Sequence, residues 1–166
     1  MKAIYIHGLH SEVNPHKVAI LEEAGLKVIA PVIDYEAEQE RVYSRLKKLV
    51  VEEQVDVLIG SSMGGFMAYW LARDLNQPAL LYNPALHFET MKPFIPQLGS
   101  KNYPPLFVCS GEKDDTVDPK WLRHYLRLEH ADDPNLKILS ASWLAHQIDL
   151  QTFKGMTDWF LGEIKT

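Results

Sequence analysis

Short runs rich in Val, Ile and Leu alternate along the chain with stretches in which apolar residues recur at helical spacing. Lys2 to His7, Leu26 to Pro31, Val55 to Gly60, Ala79 to Asn83, Leu106 to Ser110 and Leu136 to Ser140 read as strands. Several are apolar at consecutive rather than alternate positions, as strands covered on both faces should be. With helical patterns between them, the chain reads as successive βαβ units around a parallel sheet. No low-complexity linker or internal repeat interrupts the series.

Helix punctuation supports this division. Asn14 before Pro15 gives an N-cap followed by proline at the first helical position, Gly25 gives the matching stop, and Asp118 before Pro119 repeats the start signal. One helix is expected across Glu36 to Glu53, with Val42, Leu46, Leu49 and Val50 on one stripe and Arg41, Arg45, Lys47 and Lys48 mostly on the solvated side. A last helix, about Asp149 to Ile164, repeats Phe153, Met156, Phe160 and Ile164 at a spacing that reads as core packing.

Near the start, the apolar stretch Ala3 to Ile6 stops at His7 and Gly8, too short for the apolar region of a signal peptide, and it reads as the first strand. Nowhere does an uncharged apolar run approach the about 18 residues of a membrane helix. A soluble cytoplasmic protein with no membrane partner is the expectation.

Composition narrows the picture. A chain of 166 residues, 46% hydrophobic and 10% aromatic, suits one globular domain across 1–166 with a sizeable core. Lys and Arg number 17 against 22 Asp and Glu, so the net charge is −5 and no basic footprint for nucleic acid is expected. The single cysteine, Cys109, cannot form an intramolecular disulfide, and no Cys or His cluster has the spacing of a zinc site.

The chemistry concentrates in Val55 to Ala68, where a buried-strand run ends in Gly60-Ser61-Ser62-Met63-Gly64 and a helical pattern follows. This is a G-x-S-x-G nucleophile elbow in its strand-to-helix context. A serine on so sharp a turn has strained backbone angles, and small residues two positions either side relieve conflict with neighbouring chain. The helix beginning there directs free N–H groups and its positive end at an oxyanion beside the serine. The structural alternative is a Gly-rich turn whose packing merely needs small residues. Phosphate cradling is the weaker reading, since the first strand is followed by only one glycine and Gly64-Gly65 by Phe66 rather than a Walker lysine.

Ser62 in this elbow, His7-Gly8 after the first strand, Ile59 to Leu71, and Tyr82-Asn83-Pro84-Ala85 together resemble the α/β-hydrolase superfamily over nearly the whole chain, and more narrowly the small bacterial YqiA-like esterases. The resemblance implies a three-layer α/β/α sandwich with a six-stranded parallel sheet in order 2-1-3-4-5-6, a minimal version lacking the two leading strands of the larger fold. It implies esterase or thioesterase activity on acyl substrates, with no cofactor. In that superfamily the N–H beyond the His-Gly dipeptide and the N–H after the nucleophile form the oxyanion hole, which nominates Leu9 and Met63. His7 itself reads as a buried structural histidine.

Superfamily order, Ser then Asp then His, removes the histidines before Ser62. His124 and His130 fall in or just after an amphipathic helix, where surface positions are expected. His146 lies in the loop after the last strand, where the superfamily places its base. For the acid, the superfamily's G-x-x-D-x-x-V pattern matches Gly111, Asp114 and Val117 in register. Asp118 is better explained as an N-cap, and Asp115 as a solvated turn residue. The expected set is therefore Ser62, His146 and Asp114.

Between two strands, 86–104 carries Phe88, Met91 and Phe94, which would line an apolar acyl pocket if this stretch forms a short lid; an ordinary crossover is the alternative. The leading reading is a serine hydrolase acting on a small-molecule ester or thioester. A catalytically silent hydrolase-fold binding protein and an amidase or peptidase with the same residues remain the alternatives.

Overall fold

In strand β1 (Lys2–Ile6), Ile4 and Ile6 pack on one side of the sheet and Ala3 and Tyr5 on the other, and all four are buried. The same two-sided burial recurs in β3 (Val57–Ser61), β4 (Ala79–Tyr82) and β5 (Leu106–Gly111), which is why these strands are apolar at consecutive positions. The computed structural model describes residues 1–88, 94–98, 102–131 and 133–165. Completed by β2 (Lys27–Ile29) and β6 (Leu136–Ala141), the strands form one parallel sheet in the order β2-β1-β3-β4-β5-β6, the order expected from the sequence.

Helices cover both faces. On one lie α1 (Pro15–Glu23) and α6 (Leu150–Ile164), whose Leu21, Phe153, Met156 and Phe160 meet Tyr5, Ile59, Tyr82 and Phe107. On the other lie α2 (Tyr35–Glu38), α3 (Arg41–Glu52), α4 (Met63–Leu75) and α5 (Pro119–Glu129), packed on Ile4, Ile6, Leu58, Leu81 and Val108. Side-chain caps start α1, α5 and α6: Asn14 Oδ1 accepts from His16 N–H at 2.9 Å, Asp118 Oδ1 from Lys120 N–H at 2.8 Å, and Asp149 Oδ1 from Thr152 N–H at 2.8 Å. Gly25, just past α1, has φ 86°, the left-handed turn that stops the helix.

Two expectations need correcting. The single helix across Glu36 to Glu53 is two helices, because Gln39 has φ 39° and breaks the run. The break lets two anchors hold at once. Tyr35 O–H donates to the carbonyl of His7 at 2.6 Å, which fixes α2 near the end of β1, while Val42, Tyr43, Leu46 and Val50 of α3 face the sheet. Arg45 joins the halves by donating from Nη2 to Glu38 Oε1 at 3.0 Å. The second correction concerns His130, expected at the surface but 4% exposed. Arg73 Nη1 donates to the Tyr69 hydroxyl (3.0 Å), the hydroxyl to His130 Nε2 (3.0 Å), and His130 Nδ1 to Asp133 Oδ2 (2.8 Å). His124 is exposed, as expected.

No described helix is long and apolar enough to cross a membrane.

Candidate active site

Strands β1 and β2 are joined by a helix on one face, β2 and β3 by helices on the other, so a crevice opens between the carboxyl ends of β1 and β3. The loop after β1 supplies Gly8 and Leu9 there, and the turn after β3 supplies Ser62. Ser62 has φ 54° and ψ −115°, a conformation rare for a residue with a side chain. Three hydrogen bonds hold it: its N–H donates to Tyr82 O at 2.9 Å, and its carbonyl accepts from Phe66 N–H at 2.9 Å and Ala85 N–H at 3.0 Å.

The flanking glycines answer to sterics. A Cβ on Gly60 would stand 2.2 Å from Gly64 O, and one on Gly64 only 2.0 Å from Ile6 O. Either would push α4 off the strands. Gly65 is less tightly packed, with a Cβ position 2.9 Å from Pro84 Cα, and a Cβ on Gly8 would lie 3.3 Å from Ser62 Cβ.

Ser62 Oγ lies 3.0 Å from His146 Nε2. On the far side of the imidazole, Nδ1 lies 2.9 Å from Asp114 Oδ2 and 3.0 Å from Oδ1. The carboxylate therefore sets the tautomer: Nδ1 carries the proton that it donates to Asp114, and Nε2 is left to accept from the serine hydroxyl. Asp114 Oδ1 also accepts from Thr116 N–H at 2.8 Å and Val117 N–H at 2.9 Å. Burial pushes the Asp114 pKa up, but the bond from His146 and the two backbone N–H groups outweigh it, and the carboxyl titrates below its ordinary 3.8. The His146 side chain is 23% exposed and the Asp114 side chain 1%, so the carboxylate is shielded while the imidazole faces the crevice.

Asp118 is engaged as the cap of α5, and Asp115 is an exposed turn residue whose Oδ1 accepts from Thr116 Oγ1 at 3.3 Å. His7 is 2% exposed, with Nε2 accepting from Ile33 N–H at 3.0 Å and Nδ1 facing the Gly8 carbonyl at 2.8 Å. Both ring nitrogens are thus occupied in tying β2's following loop to the turn that carries Leu9.

The residue that sequence reasoning left without a role is Asn83. It is 1% exposed with φ 41°, and its amide nitrogen donates to the carbonyls of Ala145 (2.9 Å) and His146 (3.0 Å), while its amide oxygen accepts from Gly111 N–H (2.7 Å). One side chain thereby joins the end of β4, the end of β5 and the loop bearing His146. The available signal was the Asn83-Pro84-Ala85 string itself, a buried-strand run closed by a polar amide. Gly111 completes the junction, since a Cβ there would stand 2.5 Å from Leu144 O.

Leu9 lines three cavities, one of which, about 490 Å³ and shared with Val13, Val32 and Ile33, touches neither Ser62 nor His146; the other two adjoin the turn after β3. The first of these two, about 380 Å³, is lined by Leu9, Met63, Phe88 and Phe94 with Tyr35 and Gln39. The second, about 310 Å³, holds Ser62 and His146 with Gly8, Ser11, Asn14 and Lys17 on its walls. Met91, the third expected wall residue, lies outside the described residues. A groove of about 680 Å³ between β6 and α6, walled by Trp143, Met156 and Trp159, shares no residue with either. Cys109 is fully buried, and burial pushes its thiol up to about 12, which keeps it protonated at neutral pH. Among the described residues no three His, Cys, Asp or Glu side chains gather as a metal site would need.

The family described as "Uncharacterised protein family (UPF0227)" matches residues 2–158. The chain belongs to the UPF0227 family. Membership accords with the YqiA-like resemblance carried by the elbow and the Asn83-Pro84-Ala85 string. Solved structures place the UPF0227 chain in the α/β-hydrolase fold. A monoacylglycerol lipase from Paleococcus ferrophilus superposes with a TM-score of 0.77 at 13% identity, covering 97% of this chain and 94% of that one. An esterase from Pyrococcus furiosus gives 0.74 at 16% identity, covering 98% and 82%. Acyl-protein thioesterase 2 from Zea mays gives 0.67 at 16% identity, covering 98% and 93%.

Proposed function

We propose that this protein is a serine hydrolase that cleaves a small carboxylic ester or thioester through an acyl-enzyme. The observation that carries the reading is the unbroken hydrogen-bonded series Ser62 Oγ, His146 Nε2, His146 Nδ1 and Asp114, standing on a strained elbow at the sheet's switch point.

In the first half-reaction Ser62 Oγ attacks the acyl carbon as its proton passes to His146 Nε2. The carbonyl π pair moves to oxygen, and the N–H groups of Leu9 and Met63 stabilise that oxyanion, each worth roughly 3 to 4 kcal/mol of barrier. Collapse re-forms the carbonyl and breaks the bond to the leaving oxygen or sulfur, which takes the proton from Nε2. In the second half-reaction a water gives a proton to Nε2 and attacks the acyl carbon; Ser62 then leaves with that proton. Ester and water yield acid and alcohol, or thioester and water yield acid and thiol. Asp114 stays ionised throughout, orienting the imidazole and stabilising its charged form. No cofactor enters the balance.

The cavity of Leu9, Met63, Phe88 and Phe94 supports an apolar acyl group of modest size on the substrate. The test is turnover. Short or medium acyl p-nitrophenyl esters should be cleaved faster than anilides of the same acyl groups, and Ser62→Ala should lower ester turnover on the order of a millionfold while keeping its melting temperature. Faster anilide cleavage would make the protein an amidase, and full activity in Ser62→Ala would end the serine reading.

A further inference from the structure

Leu9 walls both cavities that adjoin the turn after β3, so a substrate whose carbonyl oxygen sits at Leu9 N–H extends into both. The imidazole decides which part goes where. His146 must hand its proton to the departing atom, so the leaving group lies on the side His146 walls, in the cavity of about 310 Å³. The third cavity on Leu9 touches none of Ser62, Met63 and His146, so the acyl group goes to the apolar cavity of Met63, Phe88 and Phe94.

The leaving-group cavity contains a cation. Lys17, in the first turn of α1, is half-buried on its wall, with Nζ 5.3 Å from the centroid of the Phe153 ring. Among the described residues no carboxylate lies within 4.0 Å of Nζ. The two carboxylates nearby are spoken for or solvated. Asp149 spends Oδ1 on Thr152 N–H (2.8 Å) and Oδ2 on Thr152 Oγ1 (2.7 Å) at the start of α6, and Glu12, at the cavity's mouth, is exposed. Burial holds the Lys17 ammonium below the usual lysine pKa, with Asp149 pulling the other way. A cation removed from water without a close counter-ion gains most from an anion brought to it.

We infer that the cavity beside Ser62 takes a leaving group bearing an anionic oxygen substituent, and that Lys17 is the residue that recognises it. The inference rests on the serine-hydrolase reading for its geometry. The natural alcohol or thiol would then carry a carboxylate or phosphate a few bonds from the departing atom.

The experiment compares two esters of one acyl group, 2-nitrophenyl butyrate and the butyrate of 3-hydroxy-4-nitrobenzoate, which differ by a carboxylate on the leaving ring. Lys17→Gln should raise KM for the carboxylated ester about tenfold and leave both constants of the neutral ester within about twofold. Lys17→Arg, which keeps the charge, should retain most of the preference. Equal effects on both esters, or none on either, would overturn the inference and make Lys17 a structural pin between α1 and α6. Calorimetry with the two free phenols needs no turnover. Lys17-dependent binding of 3-hydroxy-4-nitrobenzoate without cleavage of either ester would sink the hydrolase reading and keep the anion site. Cleavage of both esters without discrimination would do the reverse.

Discussion

Three carboxylates crowd one turn, and their hydrogen bonds separate them. Asp114 faces His146 with both oxygens and is held by two backbone N–H groups, Asp118 caps α5, and Asp115 is exposed. Asp114→Asn keeps the shape but favours the wrong imidazole tautomer, so turnover should fall by about 10⁴. Asp115→Asn should change turnover less than twofold, since its substitution touches only one long bond from Thr116. Asp118→Ala should lower stability by roughly 0.5 to 2 kcal/mol while activity per folded molecule stays level. Turnover and urea midpoints of the three variants check all of this; collapse in Asp115→Asn with Asp114→Asn active would reverse the assignment. Asp114 was nominated through the superfamily's G-x-x-D-x-x-V pattern, and the structure gives that register local reasons: no room for a Cβ at Gly111, and a turn in which Val117 N–H returns to the carboxylate.

At the scale of elements, strand order and elbow were legible because they are written in short-range pattern: runs of buried apolar residues, and glycines where β3 meets α4. What was not legible depends on partners far along the chain. The break at Gln39 follows from Tyr35 reaching His7, 28 residues away, and the burial of His130 follows from Tyr69, 61 residues away. Asn83 is the same kind of case, bonded to carbonyls 62 and 63 residues on. Its removal should loosen the loop bearing His146 relative to Ser62. Asn83→Ala should therefore lower kcat about a hundredfold, with KM little changed, beyond any loss of stability. Asn83→Asp keeps the acceptor for Gly111 but sets an oxygen against two carbonyls, and should be no better. A lowered melting temperature with normal kcat in both variants would reduce Asn83 to a structural clamp.

Three groups with depressed pKa values, His130, Asp114 and Asp149, shape the whole molecule's response to acid. Burial holds His130 below its ordinary pKa of 6.5, with Asp133 pulling against it, so the unfolded chain takes up a proton that the folded one refuses. Stability from this source is complete above about pH 6.5 and is lost as pH falls toward the folded-state value. Asp114 and Asp149, also depressed, add a second loss that begins only near their unfolded value of 3.8 and runs below it. Urea midpoints against pH should thus decline in two stages, with His130→Gln flattening the first and Asp114→Asn reducing the second to the share of Asp149. A carboxyl that titrates below 3.8 is ionised at neutral pH, as the proposed mechanism requires of Asp114. That mechanism stands or falls on which hydroxyl is activated, and reaction of the folded protein with a fluorophosphonate, followed by peptide mass spectrometry, reads this directly. The account predicts one adduct, on Ser62, absent from Ser62→Ala; an adduct on Ser61 or another residue, or none on folded protein that hydrolyses esters, would contradict it.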